Sequence, residues 1–266
     1  MRRAAHQLLD DPLVHEDPLA LSILGEPQAS EMRADPRRFE DGVVAPFLRA
    51  FLAVRSRVAE DALCQAVAAG IGRYVILGAG LDTFAYRNPY PGLRVFEVDH
   101  PATQAWKRQR LADAHIAVPE EVTFVSVDLA TEQLSTALCE AGLRSEEPSF
   151  FSWLGVTQYL ESEKVLATLA AIAAHCGSVI FDYSIPPALL APRQRVAFEE
   201  LARRVAAAGE PFRASFEPDV LAEAMQAMGF HQIRDMGPDE LNARFFSNRV
   251  DGLRVGSSSR VMVALR

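Results

Sequence analysis

The sequence has few cysteines and no long apolar run. Only three cysteines occur in 266 residues, Cys64, Cys139 and Cys176, and they form neither a CxxC motif nor a His/Cys set at metal-ligand spacing. We therefore expect the three cysteines to be small buried side chains that bind no metal. No segment approaches the roughly 18 apolar residues of a membrane-spanning helix. No apolar signal core follows MRRAAHQLLD, and we expect a cytoplasmic protein.

Positive charge is also scarce. The chain has 27 Lys and Arg against 35 Asp and Glu, a formal net charge of −8. An acidic surface does not attract phosphate backbones or anionic lipids, so neither nucleic acid nor membrane is an expected partner. Hydrophobic residues make up 49% of the chain, which excludes disorder and allows a sizeable core. These values predict a folded protein that acts on a small molecule, and they set no oligomeric state.

Seven apolar segments rich in β-branched and aromatic residues predict strands. They lie at 74–78, 94–99, 122–127, 149–154, 178–183, 230–235 and 260–265. Helical periodicity fills most of the intervals, at 45–69, 101–115, 161–174 and 217–228. Alternating strands and helices require crossover connections, which predict a Rossmann-like, doubly wound α/β sheet that is mostly parallel.

Three segments depart from this alternation. The stretch between the last two strands is rich in Gly, Pro, Asn and Ser and has no convincing helix, which predicts a hairpin-like return and an antiparallel C-terminal strand. Residues 1–44 predict a helical cap on a core formed by 45–183 and 217–266. Residues 184–216, with an amphipathic helix at 193–207, either form a lid over a pocket or simply pack on the surface of the single domain.

The first predicted strand ends in a glycine-rich turn. Gly78 and Gly80, with Ala79 between them, permit positive φ and let a ligand approach the backbone closely. A strand followed by GxG is common in nucleotide-binding α/β proteins, but Thr83 replaces the third glycine of dinucleotide sites. A tight turn without a ligand is the alternative.

Acidic residues follow the next two predicted strands. Glu97 and Asp99 share one side of the second strand, and Asp99, nearer its carboxyl end, is the better candidate to accept both hydroxyls of a ribose. Asp128 ends the third strand and can accept the exocyclic amine of adenine, with Leu129 beside the ring. Ligands bind outside the carboxyl ends of parallel strands, so Asp82, Asp99 and Asp128 should rim one crevice. Each acid alone could instead be a solvated strand end.

The chain resembles S-adenosylmethionine-dependent methyltransferases of the leucine carboxyl methyltransferase and polyketide O-methyltransferase type. The similarity rests on five motifs in order: ILGAGLDTFAYR (76–87), FEVDHPATQAWKRQRL (96–111), VSVDL (125–129), SWLGVTQYL (152–160) and VIFDYS (179–184). It extends to RRAAHQLLDDPLVHEDPLA near the N-terminus and GEPFRASFEPDVLAEAMQAMGF near the C-terminus. The likeness thus covers nearly the whole chain.

The resemblance implies S-adenosyl-L-methionine as the cofactor. Residues 78–80 match the loop beside its methionine part, Asp99 matches the ribose-binding acid, and Asp128 with Leu129 matches the adenine contacts. These roles agree with those expected from the residues themselves. Asp82 belongs to the same predicted site.

Other positions match the family, and some depart from it. Arg55 matches an arginine that meets the methionine carboxylate, which the guanidinium fork can bind bidentately, with Arg57 as a substitute. Lys107 matches a family lysine, for which we expect a solvated helix face. Leu154 replaces a family glutamate and Phe84 a basic residue. Both changes remove charge near the cofactor and favour the small-molecule branch of the family over a leucine carboxyl substrate.

Methyl transfer from a sulfonium is a direct displacement that depends mainly on alignment of a nucleophilic oxygen. If the acceptor is a carboxylate, it is already ionised, and Arg87 and Tyr159 are candidates to orient it. A phenol or alcohol acceptor, such as a polyketide-like metabolite, would benefit from a base. The possible bases are His100, His175, Asp182 and Tyr183.

Two other functions fit parts of the pattern. A nicotinamide-dependent oxidoreductase would share the glycine turn and the strand-end acid, but it predicts a glycine where Thr83 stands and gives no role to Asp128 and Leu129. A cofactor-binding protein without turnover is consistent with the loss of the family glutamate at Leu154. Cofactor binding and methyl-transfer assays distinguish the three.

Overall fold

A single seven-stranded sheet forms the centre of the molecule. The computed structural model describes every residue except Asp41, Val43, Ala130 and Glu132. The strand order is β3-β2-β1-β4-β5-β7-β6. The strands are β1 (Arg73–Leu77), β2 (Arg94–Asp99), β3 (Val122–Ser126), β4 (Ser149–Trp153), β5 (Gly177–Ser184), β6 (Gln232–Met236) and β7 (Ser259–Leu265).

Nine α-helices accompany the sheet in the described part of the chain. They are α1 (Arg2–Leu9), α2 (Gln28–Ala34), α3 (Ala45–Ala68), α4 (Pro101–Asp113), α5 (Leu134–Glu140), α6 (Ser162–Ala174), α7 (Pro192–Ala207), α8 (Pro218–Ala227) and α9 (Pro238–Phe245). Pro101 starts α4, where its missing N–H costs no hydrogen bond, and the His100 ring accepts from the Ala102 N–H at 3.2 Å. None of these helices has both the length and the apolar character of a membrane span.

The sheet has the predicted doubly wound topology. Strands β1 to β5 are parallel, and the chain reverses direction across the sheet at β1, between β2 and β4. Strand β7 is antiparallel to both β5 and β6, which confirms the predicted antiparallel C-terminal strand. The crevice outside the carboxyl ends of β1 and β4 is therefore the place where such a sheet binds ligands.

Two short helices were not predicted. The interval between the last two strands contains α9, so the connection is not the simple hairpin-like return that its composition suggested. Pro238 occupies the first turn of α9 and Leu241 is buried beneath it, and this proline after a glycine was the signal for a helix start. The second helix that was not predicted is α5. It buries Leu134 and Leu138 against the face of the sheet opposite to the one that Leu241 of α9 covers.

Apolar side chains cover both faces of the sheet. Alternate residues of β1 point to opposite sides, with Tyr74 and Ile76 in one cluster and Val75 and Leu77 in the other. Helix α3 contributes Val54, Val58 and Leu63 to the first cluster, and α6 contributes Val165, Leu169 and Ile172 to the second. Burial of each such side chain contributes about 1.5–3 kcal/mol. These layers hold the strand ends in fixed positions.

The N-terminal segment is fixed to α3 by a buried ionic cluster. The Asp10 carboxylate, 2% exposed, accepts from Arg49 Nε at 2.9 Å and from His6 Nδ1 at 2.6 Å. Burial alone would raise the pKa of Asp10, but the bonds from His6 and Arg49 hold that pKa below its usual value. A smaller apolar cluster formed by Ala4, Ala5, Ala20 and Met32 holds the N-terminal segment together internally.

The predicted burial of the cysteines is wrong. Cys64, Cys139 and Cys176 are all exposed and unpaired. Cys64 lies on the outer side of α3 and Cys139 near the end of α5, while Cys176 occupies a turn with φ of +47° before β5. Small size alone therefore did not place these side chains in the core.

Candidate functional site

The glycine-rich turn after β1 leaves no room for side chains. Gly78 and Gly80 have φ of +64° and +42°, which L-residues with side chains rarely adopt. A Cβ on Gly78 would collide with the Val156 side chain. The N–H groups of Gly78 and Ala79 donate to the Val98 carbonyl at 2.8 and 3.1 Å. The turn is thus held against β2, next to Asp99.

Asp99 links this turn to the end of β2. Its Oδ2 accepts the Gly80 N–H at 2.6 Å, and its Oδ1 accepts the N–H of His100 at 2.7 Å. Across β3, Asp128 lies two residues beyond Ser126 and its Oδ2 accepts the Thr131 hydroxyl at 2.9 Å. Asp99, Asp128 and Leu129 are half-buried. Because the strand order is β3-β2-β1, Asp99 lies next to the glycine turn, and Asp128 and Leu129 lie one strand further, at the edge strand β3.

A cavity of about 270 Å³ opens beside the glycine turn. Its walls include the first residues of α1, Ile23 and Leu24, the α3 side chains Leu52, Arg55 and Ser56, and the turn residues 78–82. Ser152 of β4 and Leu154, which follows that strand, complete the lining named here. Asp99, Asp128 and Leu129 lie beyond this cavity along the same sheet edge. The turn thus lines the cavity, and the acids follow it at the ends of the next two strands.

Asp82 ties the cap to the glycine turn. Its Oδ1 accepts the Phe84 N–H at 2.8 Å, and its Oδ2 lies 3.6 Å from Arg3 of α1. Arg3 also donates to the Leu81 carbonyl. Burial opposes ionisation of Asp82, but Arg3 and Lys107 keep the pKa of its carboxyl below the usual value. Asp82 therefore stays charged beside the cavity.

Arg55 contributes a guanidinium to the same cavity. Its Nη1 donates to Asp182 Oδ2 at 2.8 Å, and Asp182 Oδ1 accepts the Gly155 N–H at 2.6 Å. The Nε atom of Arg55 is buried and has no acceptor among the residues that the structure describes. A buried donor without an acceptor is unfavourable, and a ligand carboxylate in the cavity would remove this cost.

A second cavity, of about 220 Å³, lies on the other side of Arg55. Apolar walls come from α3 and α7, and polar groups come from the loop after β4 and from the end of β5. Tyr159 and Phe212 pack with their ring centroids 5.7 Å apart. The lining comprises Leu48, Phe51, Leu52, Arg55, Gly155, Gln158, Tyr159, Asp182, Ser184, Phe198, Leu201, Val205, Phe212, Ser258, Ser259 and Arg2.

Helix α7 covers this second cavity without being packed into the core. None of its 16 residues is buried, whereas every residue of the neighbouring strand β5 is. Phe198, Leu201 and Val205 line the cavity from above. The amphipathic helix predicted at 193–207 therefore borders a pocket with its apolar side chains.

Comparison with known sequences identifies the family. The family model described as leucine carboxyl methyltransferase matches residues 1–173. The chain belongs to the leucine carboxyl methyltransferase family. YktD of Bacillus subtilis, which carries the name of an S-adenosyl-L-methionine-dependent methyltransferase, is 30% identical over 275 residues, covering 94% of this chain and 90% of its own. This protein is thus an S-adenosylmethionine-dependent methyltransferase.

Solved structures share the fold at low sequence identity. A DUF574 family protein from Streptomyces avermitilis is similar with a TM-score of 0.59 and 16% identity, covering 90% of this chain and 91% of its own. Magnesium protoporphyrin IX methyltransferase from Synechocystis, solved with bound S-adenosylhomocysteine (SAH), has a TM-score of 0.52 and 15% identity, covering 89% of this chain and 95% of its own. The expected Rossmann-like fold and the cofactor, S-adenosylmethionine, are confirmed.

The crevice of the methyltransferase fits this cofactor chemically. The turn at 78–80 gives close access to backbone, Asp99 offers carboxylate oxygens at the position suited to ribose hydroxyls, and Arg55 presents a buried unpaired donor for a carboxylate. Asp128 and Leu129 extend the site along the β3 edge. The structure therefore brings Arg55, the turn at 78–80 and Asp82 together around one cavity, and it places Asp99, Asp128 and Leu129 at the neighbouring strand ends.

Arg87 lies outside both cavities of the methyltransferase. Its Nη1 donates to Glu60 Oε2 at 3.0 Å, its Nε donates to the Thr83 hydroxyl at 3.1 Å, and Asp17 lies 3.6 Å away. A guanidinium with these partners connects α3, the turn after β1 and the N-terminal cap. This arrangement favours a structural tie over the predicted contact with an acceptor, whereas Tyr159 lines the second cavity.

Lys107 is buried, which contradicts the expected solvated helix face. Its side chain is 2% exposed and its Nζ donates to Glu97 Oε1 at 2.8 Å, while Tyr86 donates its hydroxyl to Glu97 Oε2 at 2.8 Å. Burial raises the pKa of Glu97 although Lys107 and Tyr86 favour its charged form. Glu97 therefore holds α4 and the turn after β1 together, while Asp99 is the acid of β2 that contacts the glycine turn.

Of the four possible bases, only Asp182 lines the second cavity. His100 is exposed and caps α4. His175 precedes β5, at the opposite edge of the sheet, and burial lowers the pKa of its ring. Tyr183 packs into the apolar cluster on the other face, where burial raises the pKa of its hydroxyl. Asp182 and Tyr183, which are neighbours on β5, thus point to opposite faces of the sheet.

Several lining residues were not predicted from the sequence. Arg3 and Ala4 of the cap border the cavity beside the glycine turn, and Phe198 and Phe212 border the second one. The signal for the two phenylalanines was their position in the inserted segment, where aromatic side chains outside the core alternation mark a possible binding surface. The Arg55 contact with Asp182 joins positions 127 residues apart and left no sequence signal.

Proposed function

We propose that this methyltransferase transfers the methyl group of S-adenosylmethionine to an oxygen atom, on a carboxylate or hydroxyl, of a small polyketide-like molecule. The observation that carries the proposal is the shared wall of the two cavities. Arg2, Leu52 and Arg55 line both of them. A cofactor in the first cavity and an acceptor in the second would meet at this wall.

The residues proposed to hold the cofactor are those of the crevice. Arg55 binds the carboxylate of the methionine part, Asp99 the ribose hydroxyls, and Asp128 with Leu129 the adenine. The turn at 78–80 follows the cofactor backbone, and Asp82 contributes negative charge beside it. When bound, the cofactor supplies a methyl group already activated by its sulfonium.

Alignment of the acceptor is the main task of the protein. Holding two reactants in the correct geometry lowers the barrier by about 7–11 kcal/mol in well-oriented systems. Tyr159 lines the second cavity, and burial raises the pKa of its hydroxyl, so it stays protonated and can donate a hydrogen bond to the acceptor. The insertion at 184–216 acts as a lid that excludes water, and residues 1–44 cap the cofactor.

The arrangement favours a carboxylate acceptor over a hydroxyl. Both oxygens of Asp182 already accept hydrogen bonds, from Arg55 and Gly155. A carboxylate acceptor needs no base because it is ionised at neutral pH. The product would then be a methyl ester, which alkali hydrolyses with release of methanol, whereas a methyl ether resists alkali.

The acidic net charge of −8 supports a small-molecule acceptor and offers no attraction to nucleic acid or anionic membranes. The three exposed, unpaired cysteines support an action in the reducing cytoplasm. One domain then carries both cavities, its core completed by residues 217–266.

Calorimetry tests the cofactor part of the proposal. We expect S-adenosylmethionine and its product SAH to bind in the micromolar range and NAD not to bind. Asp99→Ala and Gly80→Val should each weaken binding at least tenfold, because they remove the ribose acceptor and fill the space of the turn. Arg57→Ala is the matched control, since Arg57 pairs with Asp61 at 2.8 Å on the exposed side of α3. Affinity for NAD in place of S-adenosylmethionine would contradict the proposal.

Transfer of a radiolabelled methyl group tests the reaction. Aromatic and aliphatic carboxylic acids should be paired with alcohols and phenols of the same skeleton. We expect label in the acids, and we expect alkali to release it as methanol. Label that resists alkali would identify a hydroxyl as the acceptor, and cofactor binding without any turnover would favour a binding protein over an enzyme.

A further inference from the structure

Asp182 binds Arg55, a side chain that lines both cavities. It lies near the carboxyl end of β5, its side chain is 4% exposed, and it lines the second cavity. Each side-chain oxygen has its own donor: Oδ2 accepts from Arg55 Nη1 at 2.8 Å, and Oδ1 accepts from the Gly155 N–H at 2.6 Å. The Asp182 carbonyl accepts the Thr157 hydroxyl at 2.6 Å. One residue thus fixes α3 and the loop after β4 together.

Gly155 confines the Arg55 guanidinium from another side. It has φ of +75°, and a Cβ at this position would lie 2.7 Å from Arg55 Nη2. The guanidinium therefore lies directly against the backbone of Gly155, whose N–H is held by Asp182. Asp182 and Gly155 together define where the plane of the guanidinium can lie.

The orientation leaves one edge of the guanidinium for a ligand. Asp182 binds Nη1, whereas Nε is buried without an acceptor among the described residues. The Nε and Nη2 atoms form the side edge of the fork, which can bind a carboxylate through two parallel hydrogen bonds. A guanidinium that could rotate freely would lose conformational entropy when the carboxylate binds, and this loss would weaken binding.

We propose that Asp182 is a positioning residue for the cofactor. It fixes the Arg55 guanidinium and the Gly155 backbone so that the free edge of Arg55 faces the carboxylate of the methionine part. The proposal rests on the proposed function, because it takes Arg55 as the residue that binds this carboxylate. Asp182 itself contacts neither the carboxylate nor the reacting methyl group.

Two ligands separate positioning of Arg55 from general support of the fold. SAH contains the amino acid part, whereas 5′-methylthioadenosine keeps the adenosine and the thioether but lacks that part. Asp182→Asn retains the shape of the side chain, yet its amide NH₂ can no longer accept from the second donor. We expect this variant to bind SAH about tenfold more weakly, equivalent to about 1.4 kcal/mol, and 5′-methylthioadenosine within about twofold of the wild type. Calorimetry on the folded protein measures both.

The matched control is a second pair of a carboxylate and an arginine, located on the neighbouring strands β6 and β7. Asp235 on β6 accepts from Arg260 Nε at 2.7 Å and lines neither cavity. Asp235→Asn should leave the affinities for both ligands unchanged. A double variant of Arg55→Ala with Asp182→Asn should bind SAH no more weakly than Arg55→Ala alone, because the two residues act through one contact.

Each outcome decides a separate point. If the wild type binds neither ligand, the cofactor assignment itself fails. If the wild type binds both and Asp182→Asn weakens both equally, Asp182 supports the fold only, and an unchanged or stronger affinity for SAH also overturns the positioning role. Should Asp182→Asn not fold, Gly155→Ala displaces the guanidinium with Asp182 intact, and it must give the same selective loss of SAH affinity or the proposal is wrong.

Discussion

Arg55 and Arg87 have equally exposed side chains, at 16% each, but very different surroundings. The Arg87 region surrounds the guanidinium with Glu60, Asp17 and the Thr83 hydroxyl. The Arg55 region supplies one carboxylate, Asp182, and leaves a buried Nε without an acceptor in the described chain. Burial alone therefore does not separate a structural arginine from a ligand-binding one.

The number of satisfied donors makes the distinction. A saturated guanidinium stabilises the elements it joins, because removal of it leaves buried carboxylates without a counter-charge. An unsaturated guanidinium costs free energy in the free protein and recovers it when an anion binds. The following predictions ask whether the two regions differ in this way, and they begin with the largest effect.

Arg87→Ala should destabilise the protein by about 3 kcal/mol, since it removes the cation paired with Glu60 and leaves the buried Asp17 with Arg3 as its remaining cation. This value is at the lower end for buried pairs because the Glu60 side chain is 27% exposed. Urea unfolding measures the loss. The affinity of the remaining folded protein for SAH should change less than twofold, and a large change in affinity would place Arg87 in the binding site.

Arg55→Ala should show the opposite behaviour. We expect SAH to bind about 30-fold more weakly, since a charge-assisted pair contributes about 1.5–3 kcal/mol. Stability should fall by less than the loss in Arg87→Ala, because Arg55 neutralises one carboxylate, Asp182, whereas Arg87 lies against both Glu60 and Asp17. Calorimetry and urea unfolding on the same preparation give both values. A purely structural Arg55 would lower stability and leave the affinity unchanged.

The Arg87 region should also respond to acid. Burial and the charges of Arg87 and Arg3 lower the pKa of His15 to about 3. Between the unfolded value near 6.5 and this value, only the unfolded state binds the proton, so stability must fall as the pH falls. From pH 7 to pH 5 the contribution is about 2 kcal/mol.

The control for this acid response is His15→Gln, which removes the titrating ring. The variant should lose less stability than the wild type between pH 7 and pH 5, measured by urea unfolding at each pH. Equal slopes in the two proteins would show that His15 does not titrate as its burial implies.

Tyr159→Phe should produce the smallest effect, on the acceptor side of the Arg55 region. Removal of one hydrogen bond of about 0.5–1.5 kcal/mol should raise KM for the acceptor about three- to tenfold, with the SAH affinity unchanged. Steady-state methyl transfer measures KM. A fall in kcat with no change in KM would mean that Tyr159 acts in the transfer step and not in acceptor binding.

The parts of the site that could be predicted from sequence depend on local geometry. The turn at 78–80 follows directly from β1, and Asp99 and Asp128 follow directly from β2 and β3. In a parallel sheet these ends must lie at one edge, so a correct strand assignment brings the residues together without further information. The doubly wound topology followed from the same alternation of strands and helices.

The contacts that were not predicted join distant parts of the chain or depend on a buried partner. Arg55 and Asp182 are 127 positions apart, and the residues around each of them do not indicate that the two side chains form a contact. Lys107 has a polar side chain on a helix, which indicated solvent, but Glu97 provides a buried counter-charge beneath it. Arg87 follows the glycine turn in sequence, yet its side chain points toward α3 and the cap.

A crystal structure with SAH bound tests the central claim most directly. The account predicts the amino acid carboxylate on the free edge of Arg55, the ribose hydroxyls on Asp99, and the adenine beside Asp128 and Leu129. The sulfur should then face the cavity that contains Tyr159 and Phe198. A ligand bound away from the turn at 78–80, or one whose carboxylate lies on Arg87 with Arg55 still paired only to Asp182, would contradict it.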